Sequence, residues 1–236
     1  MTEQALSVWT RQKRGREQPA LSREQIVAEA IKLLDADGLD TLSMRNLGKQ
    51  LGAGATSLYR HVANKDELIE LVVDEIYGEI EVPEAGAASW RASTTVCASS
   101  VRAMILRHPW VASVLGQIGT SYLGPNVMRL SDRMLALFEE GGFGLEEANL
   151  GLSTVLSYVI GWGINEAAWM TSLARSGLTE REWSARMEPA AREAARSYPR
   201  LNRLYEMAAL TSGEETRQDE FTYGLDRILD GLEKRP

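Results

Sequence analysis

Apolar residues recur at helical spacing along almost the whole chain, and no stretch alternates strictly as a strand would, so the pattern predicts an all-α protein. Ser22 with Gln25 three places on is a capping box, and Ile26, Val27, Ala30, Leu33 and Leu34 carry one apolar face to Asp37-Gly38. Ser43 can cap a second, short helix. Leu42 before that cap and Leu47 four places after it have the spacing of a hydrophobic staple, Leu47 and Leu51 share a face, and Gly52 follows the last apolar position. The tight Ala53-Gly54-Ala55 connection leads to a third helix that begins near Thr56 or Ser57 and turns Leu58 and Val62 inward. Asn64 with Glu67 repeats the capping signal and opens a fourth helix through about Tyr77, with Leu68, Leu71, Val72, Val73 and Ile76 apolar.

From Glu79 to Ser89 the composition shifts to Pro, Gly, Ala and acid, which marks a boundary. Beyond it the spacing predicts helices over Trp90 to Arg107, Trp110 to Gln117, Pro125 to about Gly141, and Leu145 to Arg175, the longest. Thr179 with Glu182 caps another that runs to about Tyr198. Pro199 breaks it, Leu201 to Leu210 forms a short piece, and Glu214 to Leu232 closes the chain. The expected architecture is therefore an arm at 1–20, a three-helix head with its linking helix at 21–78, and a helical-bundle body at 79–236.

Charge sharpens this division. The net charge is −7, but residues 1–65 hold ten Lys and Arg against seven Asp and Glu, a net +3, while the remainder is −10. A basic head on an acidic body suits a partner that is itself a polyanion met at one end only. The arm reads as flexible and basic; Arg14 and Arg16 flank a glycine, a combination that fits a narrow minor groove, with a solvated tail as the equal alternative. Cys97 is alone, which excludes an intrachain disulfide and a cysteine zinc site, and the amino-terminal residues lack a signal-peptide core, so a reducing cytoplasm is the expected compartment. Residues Ala148 to Asn165 carry no charge over roughly the length of a membrane span. Polar residues and glycines recur through them, so a buried helix is expected instead and no membrane partner.

Two short helices joined by a glycine turn, the second opening with hydroxyls and carrying an arginine, match a helix-turn-helix that enters a major groove of double-stranded DNA. The block Ser43 to Gly52, then Ala55 to Leu68 with its run Leu58-Tyr59-Arg60-His61-Val62-Ala63-Asn64-Lys65, resembles the DNA-binding segment of TetR-type bacterial transcriptional repressors over about residues 22–76. His108-Pro109-Trp110, and Gly124-Pro125-Asn126 with Arg129, resemble C-terminal domains of the tetracycline-repressor type. The resemblance implies that Arg45, Thr56, Ser57, Tyr59, Arg60, His61 and Lys65 face an operator, with a packed histidine as the other reading of His61. Arg60 is the candidate for direct reading, since a guanidinium can bridge both acceptors of a guanine edge. The resemblance further implies a homodimer on a palindromic operator, and a small-molecule effector bound in the body that releases the DNA.

In the body, Tyr158, Trp162, Asn165, Glu166 and Trp169 fall at helical spacing and make one stripe of aromatic and polar side chains, with Gly161 and Gly163 beside it. Facing a cavity, this stripe would suit a flat ligand with a polar handle, and His108, Trp110, Tyr122 and Phe138 are candidates for the opposite wall. The plainer reading of each is core or dimer contact. A regulator without an effector, controlled by a protein partner or constitutive, is the alternative function. No cofactor is expected, nor an enzyme: there is no glycine-rich phosphate loop, nucleophile elbow or metal-ligand spacing.

Overall fold

The computed structural model describes residues 21–84, 86–115, 123–208 and 214–233. The head is built from α1 (Arg23–Asp37), α2 (Met44–Gln50) and α3 (Ala55–Leu58), with a single 3-10 turn (Leu39–Thr41) between the first two. The linking helix is α4 (Lys65–Tyr77). The body holds α5 (Trp90–Arg107), a 3-10 segment (Pro109–Ser113), α6 (Pro125–Glu140), α7 (Leu145–Ser176), α8 (Glu180–Ala195), α9 (Pro199–Ala208) and α10 (Glu214–Glu233). The chain is all-α among the described residues, with a helix-turn-helix head followed by a larger helical bundle. No described helix is long and apolar enough to cross a membrane.

The helices start where local chemistry supplies partners for their free N–H groups. Ser22 Oγ accepts from Gln25 N at 3.2 Å while Gln25 Oε1 accepts from Ser22 N at 3.1 Å, and Thr179 with Glu182 does the same. Asn64 Oδ1 accepts from Glu67 N at 2.8 Å, but the Glu67 carboxylate takes the amide of Ala63 at 2.7 Å, one residue before the position a reciprocal box would use. Two expectations need correction. The segment expected as a helix over Trp110 to Gln117 is a 3-10 turn ending at Ser113, with Gln117 outside the described residues. Pro199 does more than stop α8: it opens α9, because a proline at the first helical position gives up no hydrogen bond.

One continuous apolar core runs from head to body. Ile26, Ala30, Leu47, Leu58, Leu68, Val72 and Ile76 are sealed in the head, and Cys97, Met104, Ile105, Phe138, Val155, Val159, Phe221 and Leu225 in the body. Each fully buried Val, Leu, Ile, Phe or Met among them stabilises the fold by about 1.5–3 kcal/mol before ordering entropy is set against it. α7 packs on α5 and α6, and α10 packs on α7. Gly163 lies so close to Ile105 that an added Cβ would sit 3.0 Å from its Cδ1, so this glycine sets how closely α7 approaches α5.

The linking helix is tied to the body by a polar joint. Gly124 offers no side-chain cap to α6, and Asp74 of α4 supplies one from outside: its Oδ1 accepts from Asn126 N at 2.8 Å and Val127 N at 3.0 Å. Asn126 Nδ2 returns a bond to Asp74 O at 3.0 Å. A carboxylate at a helix N-terminus also meets the positive end of the peptide dipoles.

Candidate nucleic-acid interface and body groove

The angle between α2 and α3 is set by backbone contact. Gly48 is buried; Ala53 N donates to its carbonyl at 2.9 Å, and a Cβ on it would lie 2.8 Å from Ala53 O. Gly52 turns the chain at φ +62, in the left-handed region that glycine adopts without strain. α3 begins at Ala55, one residue before the expected start, and its last turn closes with Val62 N donating to Leu58 O at 3.0 Å. With Leu58 and Val62 buried, Thr56, Tyr59 and Arg60 are exposed, and Ser57, His61 and Lys65 are half-buried. Arg23, at the start of α1, donates from Nε to the His61 carbonyl at 3.2 Å and so steadies the turn after α3. Arg45 and Lys49 are exposed on α2. Among the described residues Arg45, Lys49, Arg60 and Lys65 stand in no ion pair. Arg14 and Arg16 lie outside the described residues.

In the body the predicted stripe is brought together in part. Tyr158 and Trp162 converge on Phe221 of α10: the Tyr158 ring stacks on Phe221 at 5.7 Å between centroids, and its hydroxyl donates to the Phe221 carbonyl at 2.9 Å. Burial pushes the Tyr158 phenol above its ordinary range. Trp162 lies 6.0 Å from Tyr158 and 6.3 Å from Phe221, and its indole N–H is buried without a hydrogen-bond acceptor among the described residues. Together with Asp219, Glu220, Tyr223 and Gly224, these two aromatics line an open groove of about 500 Å³ between α7 and α10. Gly224 makes the room, since a Cβ there would fall 2.2 Å from the Tyr158 hydroxyl.

The other candidates are placed elsewhere. Glu166 is no free polar handle: it is buried in a two-point ion pair with Arg102 of α5, Nε to Oε2 at 2.6 Å and Nη2 to Oε1 at 2.7 Å. Arg102 also bonds Gln218 and lies over the Phe221 ring at 4.9 Å. Asn165 is exposed, because the helical turn carries it away from the face that Glu166 buries. Trp169 packs edge-on against Trp183 of α8 at 5.7 Å. Phe138 is core, in contact with Trp90 at 5.6 Å and Phe143 at 5.4 Å, not a wall opposite Tyr158. His108 and Trp110 both bond Asp35 of α1 at 2.7 and 2.8 Å, which places them at the junction with the head. Tyr122 lies outside the described residues.

Residues missed in the sequence are Arg102, Phe221, Tyr223, Asp74 and Asp35. Arg102 left a signal: a lone cation on the face of α5 that otherwise carries Cys97, Ala98, Val101 and Ile105. Asp35 left none, being an exposed acid whose partners lie more than seventy residues away.

A glycine-hinged helix-turn-helix with unpaired cations, carried by a linking helix on an all-helical body, defines a DNA-binding regulator of transcription. Residues 26–72 match the family described as "Bacterial regulatory proteins, tetR family", and residues 82–235 match "Tetracyclin repressor-like, C-terminal domain". The chain belongs to the TetR family, whose members are DNA-binding regulators and not enzymes. It is 34% identical over 91% of its length to the HTH-type transcriptional repressor DrrR1 of Streptomyces coeruleorubidus, of which it covers 78%. It is 37% identical to an HTH-type transcriptional regulator of Saccharopolyspora erythraea over 69% of each chain. Among solved structures it resembles the TetR family protein ActR of Streptomyces coelicolor in complex with actinorhodin, with 32% identity, a TM-score of 0.74, and 91% and 96% of the two chains covered.

Proposed function

We propose that this regulator is a ligand-responsive repressor that binds a palindromic operator as a homodimer and releases it when a flat small molecule occupies the body. The observation that carries the ligand reading is the groove lined by Tyr158, Trp162 and Tyr223, whose Trp162 has a buried indole N–H with no acceptor among the described residues. Buried donors nearly always find partners, so a ligand oxygen or nitrogen that supplies one gains a bond without displacing a protein contact. Similarity to ActR, solved in complex with actinorhodin and with (S)-DNPA, supports the same reading.

In this reading Arg60 reads a base edge, Thr56 and Ser57 reach the groove floor, and Arg45, Tyr59, His61 and Lys65 hold the phosphate backbone. Arg14 and Arg16 of the arm enter the adjacent minor groove. One head has too few reading side chains for specific binding, so two are required. The outer face of α7 supports such a dimer: Leu150, Ser153, Thr154, Ser157, Gly161 and Ala168 are exposed along it, and none is charged. An uncharged face of mostly small residues, with the exposed apolar Leu150 at one end, lets a second copy of α7 approach closely.

The test is titration of the purified protein against DNA flanking its own gene, at several salt concentrations and with a panel of small molecules. Selective, salt-sensitive binding that one compound abolishes supports the proposal, and Trp162→Ala should then blunt the response to that compound while leaving operator binding intact. Selective binding that no compound disturbs favours control by a protein partner or constitutive action. Absence of selective binding overturns the reading.

A further inference from the structure

A buried polar contact between head and body serves neither the DNA face nor the groove. His108 ends α5 with its side chain 3% exposed; its Nδ1 lies 2.7 Å from Asp35 Oδ1 and its Nε2 3.3 Å from Glu79 Oε2. The same Asp35 oxygen accepts the Trp110 indole N–H at 2.8 Å, and Arg107 pairs with Glu79 from the side. One imidazole thus joins α1, the strand of chain after α4, and the corner after α5.

We propose that Asp35, acting through His108 and Trp110, is a positioning residue for operator recognition, fixing the angle of the head on the body and with it the half-site spacing the protein accepts. The proposal rests on the dimeric reading above. Apolar contacts are non-directional and let helices slide, whereas short hydrogen bonds to a carboxylate hold distance and direction. Asp35 lies on the helix that packs against both α2 and α4, so any rotation of α1 carries the reading residues with it. The far end of the linking helix is held separately, by Asp74 at the start of α6. A head held at one joint keeps every rotation about it; a second, separated joint leaves only rotation about the line through both. The Asp35 contact supplies that second restraint, and the packing of α4 on α6 limits what is left.

The experiment selects binding sites from a library of paired half-sites with randomised spacing, using the full-length protein and its Asp35→Ala, Asp35→Asn and Trp110→Phe variants, with affinity for one isolated half-site measured alongside. The wild type should select one spacing. Asp35→Ala should lower the preference for it over the neighbouring spacings about tenfold while leaving half-site affinity unchanged, since two charge-assisted bonds are lost but no reading residue is touched. Asp35→Asn, which keeps an acceptor oxygen, should restore most of the preference, and Trp110→Phe should broaden it less than Asp35→Ala. Wild-type spacing preference in both Asp35→Ala and Trp110→Phe overturns the proposal, as does equal loss of half-site affinity and spacing preference. A wild type with no spacing preference overturns the dimeric reading instead. If Asp35→Ala fails to fold, the Trp110→Phe outcome alone decides.

Discussion

Arg102 and Glu166 face each other fork to fork across α5 and α7, with both guanidinium contacts shorter than 2.8 Å and side chains only 10% and 5% exposed. Arg217 of α10 approaches the same carboxylate at 3.4 Å and bonds Glu180 of α8 at 2.7 Å, so this one acid gathers cations from two helices, and the second of them ties in a third. Removing Glu166 alone strands a guanidinium in the core. Glu166→Ala should therefore lower unfolding free energy by about 3–5 kcal/mol, while a combined Arg102→Met, Glu166→Leu change should recover most of it. Denaturant midpoints for the single and combined variants check this, and equal losses in both would remove the ion pair from the argument.

At the other end of the body, Asp74 carries two amides of the first turn of α6, whose N-cap residue, Gly124, has no side chain to offer them. Asp74→Ala should cost about 0.5–2 kcal/mol, within the range for loss of a helix cap, and Asp74→Asn less. Gly124→Ala should cost more than Asp74→Ala, because its Cβ would lie 2.3 Å from the Asp74 carboxylate oxygen and force α4 and α6 apart. Thermal unfolding of the three variants ranks them.

Which parts of this arrangement were readable beforehand follows from how far each interaction reaches along the chain. Caps at Ser22, Ser43, Asn64 and Thr179 act within four residues, and the helices they open were all placed from local signals. The exposure of Tyr59 and Arg60 followed too, since burying Leu58 and Val62 on a short helix leaves those positions outside. In the body, spacing told that Tyr158, Trp162 and Glu166 share a side of α7, but not what α10 and α5 bring against it. The rotation of α7 that exposes Asn165 turns Glu166 toward Arg102, a partner 64 residues distant that spacing along α7 does not announce. His108 and Trp110 read as candidates for a cavity wall as well as for core, because nothing near them announces that Asp35 accepts both.

Cys97 is sealed in the body core, and burial pushes its thiol up to about 12. The folded state disfavours the thiolate, so this group's contribution to stability is fully present below the ordinary thiol range and is lost as pH rises from there through about 12. Since the thiolate is the reactive form, native protein at about pH 8 should react with a thiol reagent only as fast as it opens, and unfolded protein at once. A spectrophotometric thiol assay with and without denaturant measures the difference; rapid native reaction would mean that α5 opens locally.

The cations of the head should separate into two classes when replaced. Arg60 is exposed at the end of α3 and free of ion pairs among the described residues, so its guanidinium is available to a base edge. Arg60→Ala should relax the selected sequence at one position, with a loss of discrimination of about 1–3 kcal/mol there and little change elsewhere. Lys65 stands at the first position of α4, where the helix N-terminus already favours a phosphate. Lys65→Ala should weaken binding to every sequence alike and reduce the salt dependence by about one counterion. Deleting residues 1–18 should lower the salt dependence further if Arg14 and Arg16 touch DNA, and an unchanged slope would make that segment a solvated tail. Binding-site selection reads the first class and affinity against salt the second. If Arg60→Ala changes only the salt slope, Arg60 is a phosphate contact, and sequence reading must pass to Thr56 and Ser57.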